Sequence, residues 1–171
     1  LMPDENGQIT PEAVRSALRN DTLLVSIMQV NNEIGAVNDI EGIAAVVKKH
    51  PGTYFHSDIT QGVGKVDLDL SNVDMASFSA HKIHGPKGVG ALYVSSEILK
   101  AKKLVPIIYG GGQEQGMRSG TENVPGACAF AEAARLAKAC FDSRTVAMRA
   151  VREHLIAAIA AHPVLSGAVV P

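Results

Sequence analysis

The sequence predicts an α/β layered domain on a mostly parallel sheet. Two observations carry this. Helical and extended patterns alternate along the chain. And TLLVSIMQV, Thr22 to Val30, is a continuous apolar run with β-branched residues, the pattern of a strand buried on both faces.

The elements follow in order. Thr10-Pro11-Glu12 reads as an N-cap with Pro at the first helical position, so a helix is expected from Pro11 to Leu18. The Thr22–Val30 strand comes next, then NNEIGAVND as a loop. A helix over Ile40–Lys49 places Ile43, Val46 and Val47 on one face, with Lys48 and Lys49 near its C-terminus, where the dipole favours cations. Pro51-Gly52 ends it. TYFHSD, VDMASFS and VGALYV read as three short strands, and LVPIIY as one more. After a glycine-rich segment, an Ala-rich helical stretch is expected from near Glu122 to Ala161, with a break near Asp142 and Ser143.

Composition narrows the class of function. The chain has 171 residues, 46% hydrophobic and 19% charged, enough for one domain or a large piece of one. Its formal net charge is -1 and it holds no run of Lys and Arg, so no nucleic-acid partner is expected. No apolar run approaches the roughly 20 residues of a membrane span, and no secretory signal stands at the start. The sequence opens on Leu1 and stops at Pro171 after an apolar stretch, so it reads as part of a longer chain. Cys128 and Cys140 fall in the expected long helix. Twelve helical residues rise about 18 Å, beyond the roughly 7 Å of a bridged pair. Unpaired cysteines fit a cytoplasmic location, and both read as small apolar fillers.

Polar residues gather where strands end. Open parallel sheets bind ligands beyond the carboxyl ends of their strands. The first expected strand ends at Asn31-Asn32-Glu33. The second ends at Asp58, with Gln61 three residues on. The third ends at Ser79, His81 and Lys82. A parallel sheet would bring these groups to one rim. An amine forms a Schiff base with an aldehyde. A carboxylate keeps a pyridine nitrogen protonated and makes the ring an electron sink. Hydroxyl, imidazole and backbone N–H groups hold a phosphate. The set describes a pyridoxal-phosphate site. The His81/His84 spacing lacks further ligands for a metal pair. GGGQEQGMRSGT lacks the order of a nucleotide-binding loop, although an α/β module holding a nucleotide at the same rim is the alternative of another class.

Four motifs, MQVNNEIGAVNDI, HSDITQGVGK, AHKIHGPKGVGALYV and GGGQEQGMRSGTENVPG, together resemble the cysteine desulfurases of the class V aminotransferase group, which are fold-type I pyridoxal-phosphate enzymes. They span about Thr22 to Ala134, in the family's order. The resemblance implies that Lys82 is the covalent anchor and proton carrier. It implies that Asp58 pairs with the pyridine nitrogen and Gln61 with the phenolic oxygen. It gives Ser79 and His81 to the cofactor phosphate, and Asn32 to the cofactor and the substrate carboxylate. Thr121 would reach the cofactor phosphate of the partner subunit in a homodimer. Ser57 stands where an apolar residue is usual in the family, and Ile59-Thr60 replace part of a D-A-x-Q pattern.

The resemblance also implies what is not in this sequence. Neither Cys128 nor Cys140 matches the family's sulfur-accepting cysteine, so the 171 residues alone are expected not to turn over cysteine. Residues 1–140 would form part of the cofactor-binding large domain, and 141–171 a helical link toward a small domain. The implied function is conversion of L-cysteine to L-alanine, with sulfur passed as an enzyme persulfide to acceptors such as iron–sulfur scaffold or tRNA-thiolation proteins. The alternative is selenocysteine lyase or another class V enzyme with the same cofactor.

Overall fold

Thr10 starts the first helix. Its hydroxyl accepts from the Ala13 N–H at 3.1 Å, and Pro11 sits where no N–H is needed. The computed structural model describes residues 1–168. It runs α1 (Pro11–Ala17), β1 (Leu24–Ser26), α2 (Ile40–Val47), β2 (Tyr54–Asp58), β3 (Met75–Ser79), β4 (Gly90–Val94), α3 (Ser96–Lys100), α4 (Val124–Ala139) and α5 (Phe141–Ala161), with short 3-10 helices at Ala80–Ile83 and Glu114–Gly116. Among the described residues the strands form one sheet in the order β1-β2-β3-β4. β1, β2 and β3 are parallel, and β4 returns antiparallel to β3. The expected mostly parallel α/β architecture is therefore present.

Register assigns every strand residue to a face, because side chains alternate. Val25 pairs with Phe55, and Ser57 with Ala76. These residues face α1 and α2 and form the core with Val14, Ile40, Ile43, Ala44 and Val47. Asp39 caps α2 by accepting from the Gly42 N–H at 2.9 Å. As expected, α2 turns Ile43, Val46 and Val47 inward. A second cluster forms where Ala133 and Ala137 of α4 pack on Ile83. The Phe78 and Phe130 rings meet edge to face there, with centroids 5.5 Å apart. That contact ties α4 to the end of β3.

Four expectations need correction. The first strand is not buried on both faces: burial alternates from Leu24 to Gln29, and Leu24 is 51% exposed. β1 lies at the sheet edge, and among the described residues helices cover one face only. Its regular part is also shorter than Thr22–Val30, although Ile27 and Gln29 still donate to the His56 and Asp58 carbonyls. LVPIIY forms no strand. Pro106 has no N–H to donate, the segment finds no partner strand, and Ile107 is 89% exposed. The break between the last two helices falls at Cys140, with φ -104° and ψ 11°, rather than at Asp142. Finally, Cys128 is no buried filler: its position on α4 faces away from the Ile83 contact and is exposed. Cys140 is half-buried, and both thiols are free.

Candidate active site

Asp58 is the last residue of β2, exposed at the carboxyl edge of the sheet. One carboxylate oxygen accepts from the Thr60 N–H at 2.9 Å, a local turn that holds the side chain upright. Its β3 neighbour in register is Ser77, and Ser79 lies two residues on, on the same face. This is the face without helices. The face beneath carries Ser57, fully buried, whose hydroxyl has no hydrogen-bond partner among the described residues. The unusual serine thus sits on the packing side and leaves the rim unaltered.

Ser79 precedes the 3-10 helix and is its N-cap in extended conformation, yet its hydroxyl makes no capping bond. It is left available to a ligand. In the helix Ala80 and Ile83 are buried, while His81 and Lys82 between them are exposed. The sequence dictates this division: small and branched apolar residues flank the two that carry chemistry. His84 ends the turn in the left-handed region at φ 69°. The Gly85 N–H then bonds the Ala80 carbonyl at 2.9 Å, and a Cβ at Gly85 would lie 2.8 Å from that of Ala80. Only glycine closes this loop without moving it.

Gln61 lies in the turn that follows β2. Bonds from Gly62 and Val63 to the Ile59 carbonyl, and from Lys65 and Val66 to that of Gly62, wind the turn. The winding brings Lys65 back over Gln61. Lys65 Nζ donates to the Gln61 backbone carbonyl at 3.1 Å and to Gln61 Oε1 at 3.3 Å. Burial lowers the pKa of the Lys65 ammonium from its ordinary value, and the charge of Lys82 lowers it further. The two lysines therefore share one neighbourhood.

The parallel strand ends bring Asp58, Gln61, Ser79, His81 and Lys82 to one rim. Asn32 follows β1 on an exposed turn, where its amide donates to Glu33 Oε1 at 2.9 Å. Thr121 is exposed in the loop before α4 and bonds none of the rim residues. Nor is it the cap of that helix: Asn123 accepts from the Gly126 N–H at 3.0 Å instead. Two features escape a reading of the motifs. One is Lys65, four residues after Gln61 in a turn rather than a helix, where spacing alone predicts no contact. The other is a row across the strands: His56 Nδ1 lies 2.8 Å from Ser26 Oγ, and His56 Nε2 lies 3.1 Å from Ser77 Oγ. A period of two from Asp58 places His56 on its face.

A family model described as aminotransferase class-V matches residues 1–167. The chain belongs to this family. Among curated proteins, the cysteine desulfurase IscS of Serratia proteamaculans (strain 568) is 48% identical over 157 residues, covering 91% of this chain and 38% of that protein. The IscS of Anaeromyxobacter dehalogenans (strain 2CP-C) is 46% identical with the same coverage. The chain thus spans 38% of the length of these relatives. Among solved structures, DndA from Streptomyces lividans matches with a TM-score of 0.87 at 42% identity, over 95% of this chain and 46% of that one. A structure of SspA in complex with cysteine matches at 0.74 and 42% identity, over 79% of this chain and 39% of that one.

Class-V aminotransferase enzymes depend on pyridoxal phosphate. The rim fits that cofactor on its own chemistry. It offers an amine to an aldehyde, a carboxylate to a ring nitrogen, and an uncommitted hydroxyl beside an imidazole for a phosphate. No described helix is long and apolar enough to cross a membrane.

Proposed function

We propose that this chain is the cofactor-binding part of a pyridoxal-phosphate-dependent cysteine desulfurase. The observation that carries the reading is the shared rim: Asp58 and the Ser79–Lys82 segment stand at the carboxyl ends of adjacent parallel strands, in a chain whose curated relatives are cysteine desulfurases. Pyridoxal phosphate, when bound, supplies a conjugated ring that takes up the electron pair left at the substrate Cα. The other roles fall to this chain's residues. Lys82 Nζ anchors the cofactor and carries the proton to and from the substrate Cα. The Asp58 carboxylate holds the ring-nitrogen proton. Gln61 bonds the phenolic oxygen, and Asn32 the substrate carboxylate. Ser79 and His81 hold the phosphate, joined by Thr121 from the second subunit of a homodimer. The exposure of Thr121, and its lack of any bond to its own rim, support that last assignment.

The substrate is L-cysteine, released as L-alanine. Its sulfur leaves as a persulfide on a cysteine of the same protein and passes to acceptors such as iron–sulfur scaffold or tRNA-thiolation proteins in the cytoplasm. Cys128 on α4 and Cys140 at the junction with α5 belong to the helices that follow the last motif and match no sulfur-accepting position, so the persulfide is assigned to a cysteine outside these 171 residues. Residues 1–140 belong to the large domain, and 141–171 lead toward a small one; of these, 169–171 lie outside the described residues.

The test is cysteine turnover by the intact protein. Alanine and sulfide are expected in equal amounts under a reductant, with loss of at least about a thousandfold for Lys82→Ala, since a covalent anchor and proton carrier go together. Turnover of selenocysteine alone would reassign the protein as a lyase. Turnover untouched by Lys82→Ala would overturn the site.

A further inference from the structure

Gln61 can face a ligand with either end of its amide. One end donates and the other accepts, and the two have nearly the same shape. A phenolic oxygen that carries negative charge needs the donor. Nothing in the glutamine itself makes that choice.

The turn after β2 does. Lys65 Nζ is bonded to Gln61 at two points, the backbone carbonyl at 3.1 Å and Oε1 at 3.3 Å. An ammonium has donors only, so it accepts no bond from the NH2 end. Oε1 is thereby turned toward Lys65, and the NH2 is left for the rim. The backbone next to Lys65 runs close against α4. Gly64 beside it has φ +72°, and a Cβ there would lie 3.0 Å from the Cβ of Ala137 on α4. The charged groups facing Lys65 are Lys82 and, across an open cavity from α5, Arg149, Arg152 and Glu153. Burial first, and the charge of Lys82 second, disfavour the Lys65 ammonium, yet it keeps both bonds to Gln61.

We propose that Lys65 is a positioning residue that orients the Gln61 amide so that its NH2 faces the cofactor's phenolic oxygen. The proposal rests on the reading of Gln61 as a cofactor ligand. Lys65 acts through Gln61 and does not touch the reacting atoms.

The test uses the intact protein loaded with pyridoxal phosphate and reads the pH midpoint of its visible absorption band, independent of turnover. A donor on the phenolic oxygen lowers this midpoint, because it draws charge from the oxygen that otherwise retains the neighbouring proton. Lys65→Met is expected to raise the midpoint by about one pH unit. Lys65→Arg, also a donor-only cation, is expected to stay near the parent value. Loss of a positive charge would by itself raise the midpoint, so a double-mutant cycle decides. In a Gln61→Leu background, Lys65→Met is expected to shift the midpoint by clearly less than in the parent, leaving only the effect of the lost charge. The same shift in both backgrounds, or no shift in the parent, overturns the proposal. If Gln61→Leu alone leaves the midpoint in place, Gln61 is no ligand, and that reading fails together with this one. If Gln61→Leu moves it and Lys65→Met does not, only the role of Lys65 fails. Should Lys65→Met not fold, Lys65→Gln enters the same cycle.

Discussion

Lys82 projects, beside His81, from a turn that is anchored on either side. Ala80 and Ile83 are buried on either side, and Gly85 folds back against Ala80. The lysine's placement is therefore a property of its neighbours. In Gly85→Ala the new Cβ meets the Ala80 Cβ at 2.8 Å and its carbonyl at 3.0 Å, so the turn must shift. We expect a loss of about 1–3 kcal/mol in urea unfolding, from the cost of overpacking. Weaker retention of pyridoxal phosphate should accompany it in a cofactor titration. Parent-like values in both would show that the turn has slack. At this scale much was legible. Asp58, Ser79 and Lys82 each sit at the end of an apolar run, and strand ends can be read from local pattern. Lys65 was not legible as a partner of Gln61, because the contact depends on how the turn winds. The cap of α4 is Asn123 and not Thr121 two residues before it. Both residue types cap well, and only the backbone path decides between them.

At the level of elements, α2 buries Ile40, Ile43, Ala44, Val46 and Val47 in the core beneath the strands. Ile43 is fully buried between it and the sheet. Ile43→Ala should cost about 2–5 kcal/mol, read by denaturant unfolding, since a cavity opens where the layers meet. A loss below about 1 kcal/mol would mean that the layer collapses to fill the gap. The sequence marks α1 and α2 clearly because each has a side-chain cap and an amphipathic face. It marks β2, β3 and β4 through short alternating or apolar runs between turns. It misleads at β1 and at LVPIIY for one reason. An apolar run records that a segment is suited to burial, while its cover and its pairing come from elsewhere. Leu24 is apolar but exposed, and Ile107 has no strand to pair with. The break at Cys140 was displaced by two residues because Asp142 and Ser143, which suggest a stop, are tolerated in the first turn of α5.

Across the whole molecule, the two sides of the sheet differ. One carries α1, α2 and the main core. The other carries Leu24, Ser26, His56, Asp58, Ser77, Ser79 and Leu92 in register, and Leu92 is 58% exposed. The bare side and the candidate cofactor rim are thus the same side. The chain spans 38% of the length of its curated relatives, so such a side has ample sequence in those proteins to cover it. The class of fold was readable because alternation of helix and strand is a local signal. The bare side was not, because exposure depends on what packs against it. Parallel pairing of β2 and β3 turned two separate sequence endings into one rim, and the proposed chemistry rests on that convergence. The most direct measurement is reductive trapping of pyridoxal phosphate on the intact protein, followed by peptide mapping of the labelled lysine. The label is expected on the peptide that contains Lys82. Label on Lys65, on Lys87 or on a lysine away from the rim would contradict the site.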